Sequence, residues 1–250
     1  MGRACLFLVS DFNLIYPYFM KALSLFSLLA ALTLGAAPNS GLKPVWEDDF
    51  NAKEIDPKKW NVGGGARIVD GKLQIEITPK EKAGFWNGSN VNSSGKFMHP
   101  QGYFEASIRA IQSKGRGAVN FGIRNQDMSK VPSAALNFSF SGADKVEPWL
   151  SIVDEGGSHN LVPKDKVIAM DGGKSYKKFL TYALHWTDKE YRWYVEGRLV
   201  HKMIRPIPSA PMFIEFNQWL PEGGLLKDFM NPKLGPEPLQ VDWVKVFKIP

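Results

Sequence analysis

Leu180-Thr181-Tyr182-Ala183-Leu184-His185-Trp186 sends Leu180, Tyr182, Leu184 and Trp186 to one side and Thr181, Ala183 and His185 to the other. That is the period of a strand with one face buried. Tyr191-Arg192-Trp193-Tyr194-Val195 follows and leads through Glu196-Gly197 into Arg198-Leu199-Val200, which predicts a hairpin with glycine at the turn. Upstream, Tyr103, Glu105 and Ser107 alternate with Phe104, Ala106 and Ile108 in the same way, and Leu239 to Phe247 reads as a terminal strand tied into a sheet. Beyond residue 40 such runs recur between Gly, Pro, Asn and Asp clusters, and none keeps a helical period. The reading is an all-β fold: a two-sheet antiparallel β-sandwich or jelly roll, with residues 38–250 as one domain. The Pro-rich stretch from Leu220 to Pro238 is the longest candidate loop and a candidate rim for a cleft.

The N-terminus carries a compartment signal. Residues 1–37 read as an extension plus a signal peptide: Met20 as the start, Lys21, an apolar run from Ala22 to Leu34, then Gly35-Ala36-Ala37. The apolar run is too short to span a bilayer, so the expectation is an exported protein, periplasmic or secreted, with no membrane span after cleavage. Cys5, the one cysteine, falls in this segment, which leaves neither disulfide nor thiol chemistry to the remainder. Hydrophobic content of 44% and aromatic content of 12% fit a globular chain rather than a disordered one. Net charge is +6; without residues 1–37 the chain keeps 29 basic against 24 acidic residues. The excess is spread out, with Lys177-Lys178 and Lys114 to Arg116 as its densest spots, so nucleic acid is not an expected partner.

Several pieces, in order, resemble one family. They are Val45-Trp46-Glu47-Asp48-Asp49-Phe50-Asn51, Asp56-Pro57-Lys58-Lys59-Trp60, Val69-Asp70-Gly71-Lys72-Leu73 and Gly102-Tyr103-Phe104-Glu105-Ala106-Ser107-Ile108. Tyr182 to Asp188 with Trp193 to Gly197 is the strongest piece, and Asn217-Gln218-Trp219 and Val241-Asp242-Trp243-Val244 close the series. Together they resemble glycoside hydrolase family 16, in the concanavalin A-like lectin/glucanase group, over most of residues 44–248. The resemblance implies a β-jelly roll with a concave carbohydrate groove, and an activity on β-glucans or galactans.

The resemblance breaks where the chemistry should be. Family members carry Glu-x-Asp-x-Glu on a strand about thirty positions after the Gly-Tyr-Phe-Glu piece: nucleophile, tuning residue, then general acid and base. In Ser133-Ala134-Ala135-Leu136-Asn137-Phe138-Ser139-Phe140 those places hold Ala135, Asn137 and Ser139. None of the three ionises at ordinary pH, and retention needs two carboxyls roughly 5 Å apart. The first expectation is therefore an exported carbohydrate-binding pseudoenzyme, monomeric, with a polysaccharide or oligosaccharide as partner. Two alternatives stand beside it: a hydrolase or transglycosylase using displaced carboxylates such as Glu105 or Glu155, and a structural or interaction protein without sugar affinity.

Trp219 and Asn217 match groove residues of the family, an indole to stack on a sugar and an amide to bond its hydroxyls. Glu105, Asn137 and Ser139 are expected in the same groove, Trp86 at its rim, and Trp149 as a further platform. Val119 or Ile123 stand where family members carry cleft tryptophans, while Trp186 and Trp193 are expected in the core. The resemblance also implies a structural Ca²⁺ near Asp242, Gly71 and Asp49, and the four histidines show no zinc spacing.

Overall fold

In a computed structural model, residues 38–79, 86–111, 118–127, 129–140, 145–161, 168–169, 174–205, 208, 210–219 and 237–250 are described. The signal-peptide reading and most of the Leu220 to Pro238 loop fall outside these residues. The described residues belong to one compact unit, residues 37–250. It opens with β1 (Trp46–Asp48), β2 (Asn61–Gly63), β3 (Gly65–Val69), β4 (Lys72–Glu76), β5 (Thr78–Pro79), β6 (Trp86–Asn87) and β7 (Ser89–Asn92). The middle consists of β8 (Gly102–Arg109), β9 (Ala118–Asn125), β10 (Ser133–Phe140), β11 (Lys145–Asp154), β12 (Gly157–Leu161) and β13 (Ile168–Ala169). After a one-turn helix α1 (Lys174–Lys177) come β14 (Leu180–Trp186), β15 (Tyr191–Val195), β16 (Arg198–Met203), β17 (Met212–Trp219) and β18 (Leu239–Phe247).

Among the described residues all strand pairings are antiparallel, and apart from the short β5–β6 ribbon they fall into two large sheets. One runs β16-β15-β14-β8-β18-β4-β3, with β1 on β18; the other runs β12-β11-β10-β9-β17-β7-β2, with β13 on β11. The predicted hairpin is β15–β16: Val195 pairs with Arg198, and the two turn residues Glu196 and Gly197 both take positive φ, 51° and 72°. Such a turn matches the right-handed twist of its strands and favours glycine. The Glu196 carboxylate accepts from the Thr181 amide at 2.6 Å and so ties the turn back to β14.

The core lies between the sheets and is filled by the alternation read from the sequence. Leu180, Tyr182, Leu184 and Trp186 pack inward from β14, and Phe104, Ala106 and Ile108 from β8. Ala134, Leu136, Phe138 and Phe140 meet them from β10, with Phe121 and Phe216 stacked at 5.2 Å behind β9 and β17. Trp186 and Trp193 are core residues, as expected. The Trp193 indole donates across the core to the backbone carbonyl of Asn137 at 3.0 Å, fixing β10 to the opposite sheet. At the other end of β10, the buried Asn125 side chain accepts from the Ala134 amide at 2.7 Å and donates to the Ala210 carbonyl at 2.8 Å. One amide thus joins the start of β10 to the segment that enters β17.

The far side of the β14-containing sheet is also partly apolar. Tyr103, Ala183, Tyr194 and Phe247 cluster there under Leu42 and Ile249. This cover explains why Ala183 and His185, read from alternation as the outer face of their strand, are buried.

Candidate functional site

Because Ala134, Leu136 and Phe138 enter the core, Ala135, Asn137 and Ser139 stand on the opposite face of β10. Register then dictates what surrounds them. One rung across the sheet reads Trp149, Asn137, Gly122, Glu215, Asn92, Asn61. The next reads Ser139, Asn120, Asn217, Asn90, and the one on the other side Ser151, Ala135, Arg124, Phe213. This face is a field of amides. Asn61 donates to Asn92 at 3.2 Å, Asn92 to Asn90 at 2.6 Å, and Asn90 to the Glu215 carboxylate. In the second rung Asn120 donates to Asn217 at 3.0 Å. Side chains that bond one another in this way are held in place before any ligand arrives, which lowers the ordering cost of binding.

Gly122 is required by close approach. A Cβ built on it would lie 1.8 Å from Asn137 Oδ1 and 2.8 Å from the Leu136 carbonyl oxygen. The Asn137 amide therefore leans from β10 over the bare backbone of β9. Trp149, half-buried directly opposite Asn137, donates its indole N–H to Ser151 Oγ at 3.1 Å, which fixes the ring beside Asn137.

The sequence-named residues divide between the two sheets. Asn137, Ser139 and Asn217 come together on the amide face with Trp149, and Trp219 ends β17 paired with Ala118, two residues beyond Asn217. Trp86 pairs with Pro79 in the short β5–β6 ribbon. The side chains of Trp219 and Trp86 lie outside the described residues. Glu105 does not join this group: β8 belongs to the other sheet, and Glu105 sits on its outer face opposite Ala183 and Lys245, accepting from Asn39 at 3.1 Å. Burial raises its carboxyl above the usual range, against the opposing pull of Asn39 and Lys245. Glu155 is an exposed turn residue between β11 and β12, so the two proposed displaced carboxylates cannot flank one sugar. Val119 and Ile123 are fully buried core residues, one register step from the face they were expected to line; Asn120 and Gly122 occupy it instead.

Glu215, Arg124, Asn90, Asn92, Asn61 and Asn120 were missed. The signal was present for Glu215, which lies two residues before Asn217 on the same strand and hence on the same face. The asparagines of β7 and β2 had no such signal, because only sheet order brings β7 beside β17 and β2 beside β7.

A cavity of about 270 Å³ opens at the end of the other sheet, lined by Gln101, His185, Trp186, Lys189, Arg192 and Ile249 among others. Burial, reinforced by Arg192, lowers the His185 imidazole to a pKa of about 4, so it is neutral at ordinary pH. This cavity lies apart from the amide face.

Of the positions implied for calcium, the two carboxylates have partners within the protein. Asp242 accepts from the Lys72 ammonium at 2.8 Å, and Asp49 accepts from the backbone and side chain of Asn51, whose Oδ1 lies 3.0 Å from a Cβ built on Gly71. No group of three His, Cys, Asp or Glu suited to a metal occurs among the described residues. The Lys72 ammonium thus sits on the Asp242 carboxylate, which the resemblance assigns to calcium, and it competes with a cation there. Adding a chelator is expected to leave the melting temperature unchanged; a fall that calcium reverses would overturn this.

The sequence model described as Glycosyl hydrolases family 16 matches residues 56–245. A β-glucanase of Bacillus amyloliquefaciens is 25% identical over 260 residues, covering 99% of this chain and all of that protein. A β-glucanase of Paenibacillus macerans is 26% identical over 212 residues, covering 81% and 83%. Among solved structures, the laminarinase catalytic domain of Thermotoga maritima superposes with a TM-score of 0.67 at 18% identity, over 83% of this chain and 98% of that one. The laminarinase of Rhodothermus marinus gives 0.67 at 20% identity, over 83% and 97%.

Proposed function

The chain belongs to glycosyl hydrolase family 16, and from that premise we propose that it binds a β-glucan-type polysaccharide on the amide face without cleaving it. The observation that carries the reading is the outward face of β10, where Ala135, Asn137 and Ser139 supply neither nucleophile nor proton donor. Among side chains described on this face, Glu215 is the one acid. Glu147 occupies a backbone position opposite Ser139, three strands from β17. At about 4.8 Å per strand that is about 14 Å between backbones. Retaining chemistry, which needs carboxyls about 5 Å apart, is far from that backbone spacing. The curated relatives are named β-glucanases, which supports the polysaccharide class and favours hydrolysis as the second reading. Export, for which the Lys21 to Ala37 pattern is the support, would bring the protein to polysaccharide outside the cell.

Binding needs no ionised pair. Neutral amides exchange hydrogen bonds with sugar hydroxyls, and an indole beside them offers an apolar face to a pyranose ring. Titration calorimetry with β-1,3- and mixed-linkage gluco-oligosaccharides is expected to give modest affinity that grows with chain length. Trp149→Ala and Trp219→Ala should each weaken it about five- to tenfold, the equivalent of about 1 kcal/mol of stacking. Full retention of affinity in both variants, or no binding by the parent, would overturn the assignment.

A further inference from the structure

Glu215 and Arg124 face each other without being spent on each other. Arg124 Nη1 and Glu215 Oε2 are 3.7 Å apart, beyond hydrogen-bond reach, while the other carboxylate oxygen, Oε1, is taken by Asn90. Arg124 Nε is buried with no partner. The guanidinium lies 5.6 Å from the Phe213 ring centroid, which holds it against the sheet. Both groups remain reachable, Arg124 with 40% and Glu215 with 15% of its side-chain surface exposed. Beside them in the rung is Gly122, over whose backbone the Asn137 amide leans.

An acceptor and a donor at this separation suit two neighbouring hydroxyls of one sugar, one giving its proton to the carboxylate and the other accepting from the guanidinium. We propose that Arg124 and Glu215 are the specificity-determining pair of this face and read two adjacent free hydroxyls on a neutral hexose. The inference rests on the saccharide-binding reading above. A uronate or sulfated sugar is disfavoured, because its charge would have to share Arg124 with a carboxylate that repels it. An ordinary ion pair holding β9 to β17 is the competing account, and it predicts an effect on melting rather than on binding.

The experiment is calorimetry with a β-1,3-gluco-oligosaccharide and its carboxymethylated counterpart, on the parent and on Glu215→Gln, Arg124→Gln and the double variant, each with a melting curve. Glu215→Gln keeps the shape and an acceptor for Asn90, so it tests charge with little loss of packing. The expected result is a loss of about tenfold or more in each single variant, since hydrogen bonds to charged groups are worth about that. The double variant should lose less than the product of the two, and the parent should bind the carboxymethylated sugar more weakly than the neutral one. If Glu215→Gln binds as the parent does while Trp149→Ala binds less well, the pair is structural and this inference fails with the binding face intact. If the parent binds no glucan, both fail.

Discussion

β-1,3-Glucan and mixed-linkage β-glucan incubated with the purified protein are expected to release reducing ends no faster than buffer alone. Two separate losses produce this. General acid–base assistance is worth about 10²- to 10⁴-fold, and without a donor at position 139 the leaving oxygen departs as an alkoxide. Without a nucleophile at position 135 the covalent route through a glycosyl intermediate is closed as well. The first loss alone places the rate about 10²- to 10⁴-fold below a chain that keeps the donor, and the second lowers it further. Glu215 does not compensate, because it is a single carboxylate, hydrogen-bonded to Asn90 and facing Arg124. Turnover that survives in Glu215→Gln, or any turnover well above buffer, would overturn the expectation. Turnover abolished by Glu105→Gln would move the chemistry to the other sheet, where Glu105 lies.

The largest effect on stability is expected at Phe216. Its side chain is fully buried, stacked on Phe121 with centroids 5.2 Å apart and 6.0 Å from the centroid of Trp60. Phe216→Ala removes the ring and leaves a cavity that strands β9 and β17, pinned by their ladder bonds, cannot close. Such truncations cost about 3–5 kcal/mol. For a domain of this size that corresponds to a fall of roughly 6–20 °C in melting temperature. Because Phe216 lies between Glu215 and Asn217, the same variant should also weaken saccharide binding, by loosening the strand that carries both. A melting temperature within a degree or two of the parent would show that the core collapses around the missing ring.

The two-sheet sandwich was legible because one side of most strands is apolar at every second position. β14 and β8 display that pattern without interruption, and their inward residues enter the main core as it predicts, while Tyr103, Ala183 and His185 on the other face are buried by a second, smaller cover that alternation does not show. The same logic puts Ala135, Asn137 and Ser139 together, since they must share a face whatever the sheet order. What parity does not encode is which strand lies beside which. Glu105 has the right chemistry on a strand that belongs to the other sheet, so its expected place was wrong. The Asn61, Asn92 and Asn90 series was invisible for the same reason, assembled from strands distant in sequence. Val119 and Ile123 failed on a one-residue register, which in a strand exchanges inside for outside.

Strand β10 keeps its two sides on separate accounts. Ala134, Leu136, Phe138 and Phe140 answer to the interior, and the Trp193 bond to Asn137 reaches only the main-chain carbonyl, which any residue at that position provides. The apolar core between the sheets is built without the side chains at 135, 137 and 139. A lineage can therefore lose its hydrolytic residues by three independent substitutions, each nearly invisible to selection for folding. It can then adapt the exposed surface to holding a polymer instead of cutting it, while ancestry stays written in the half of the strand that never met the substrate.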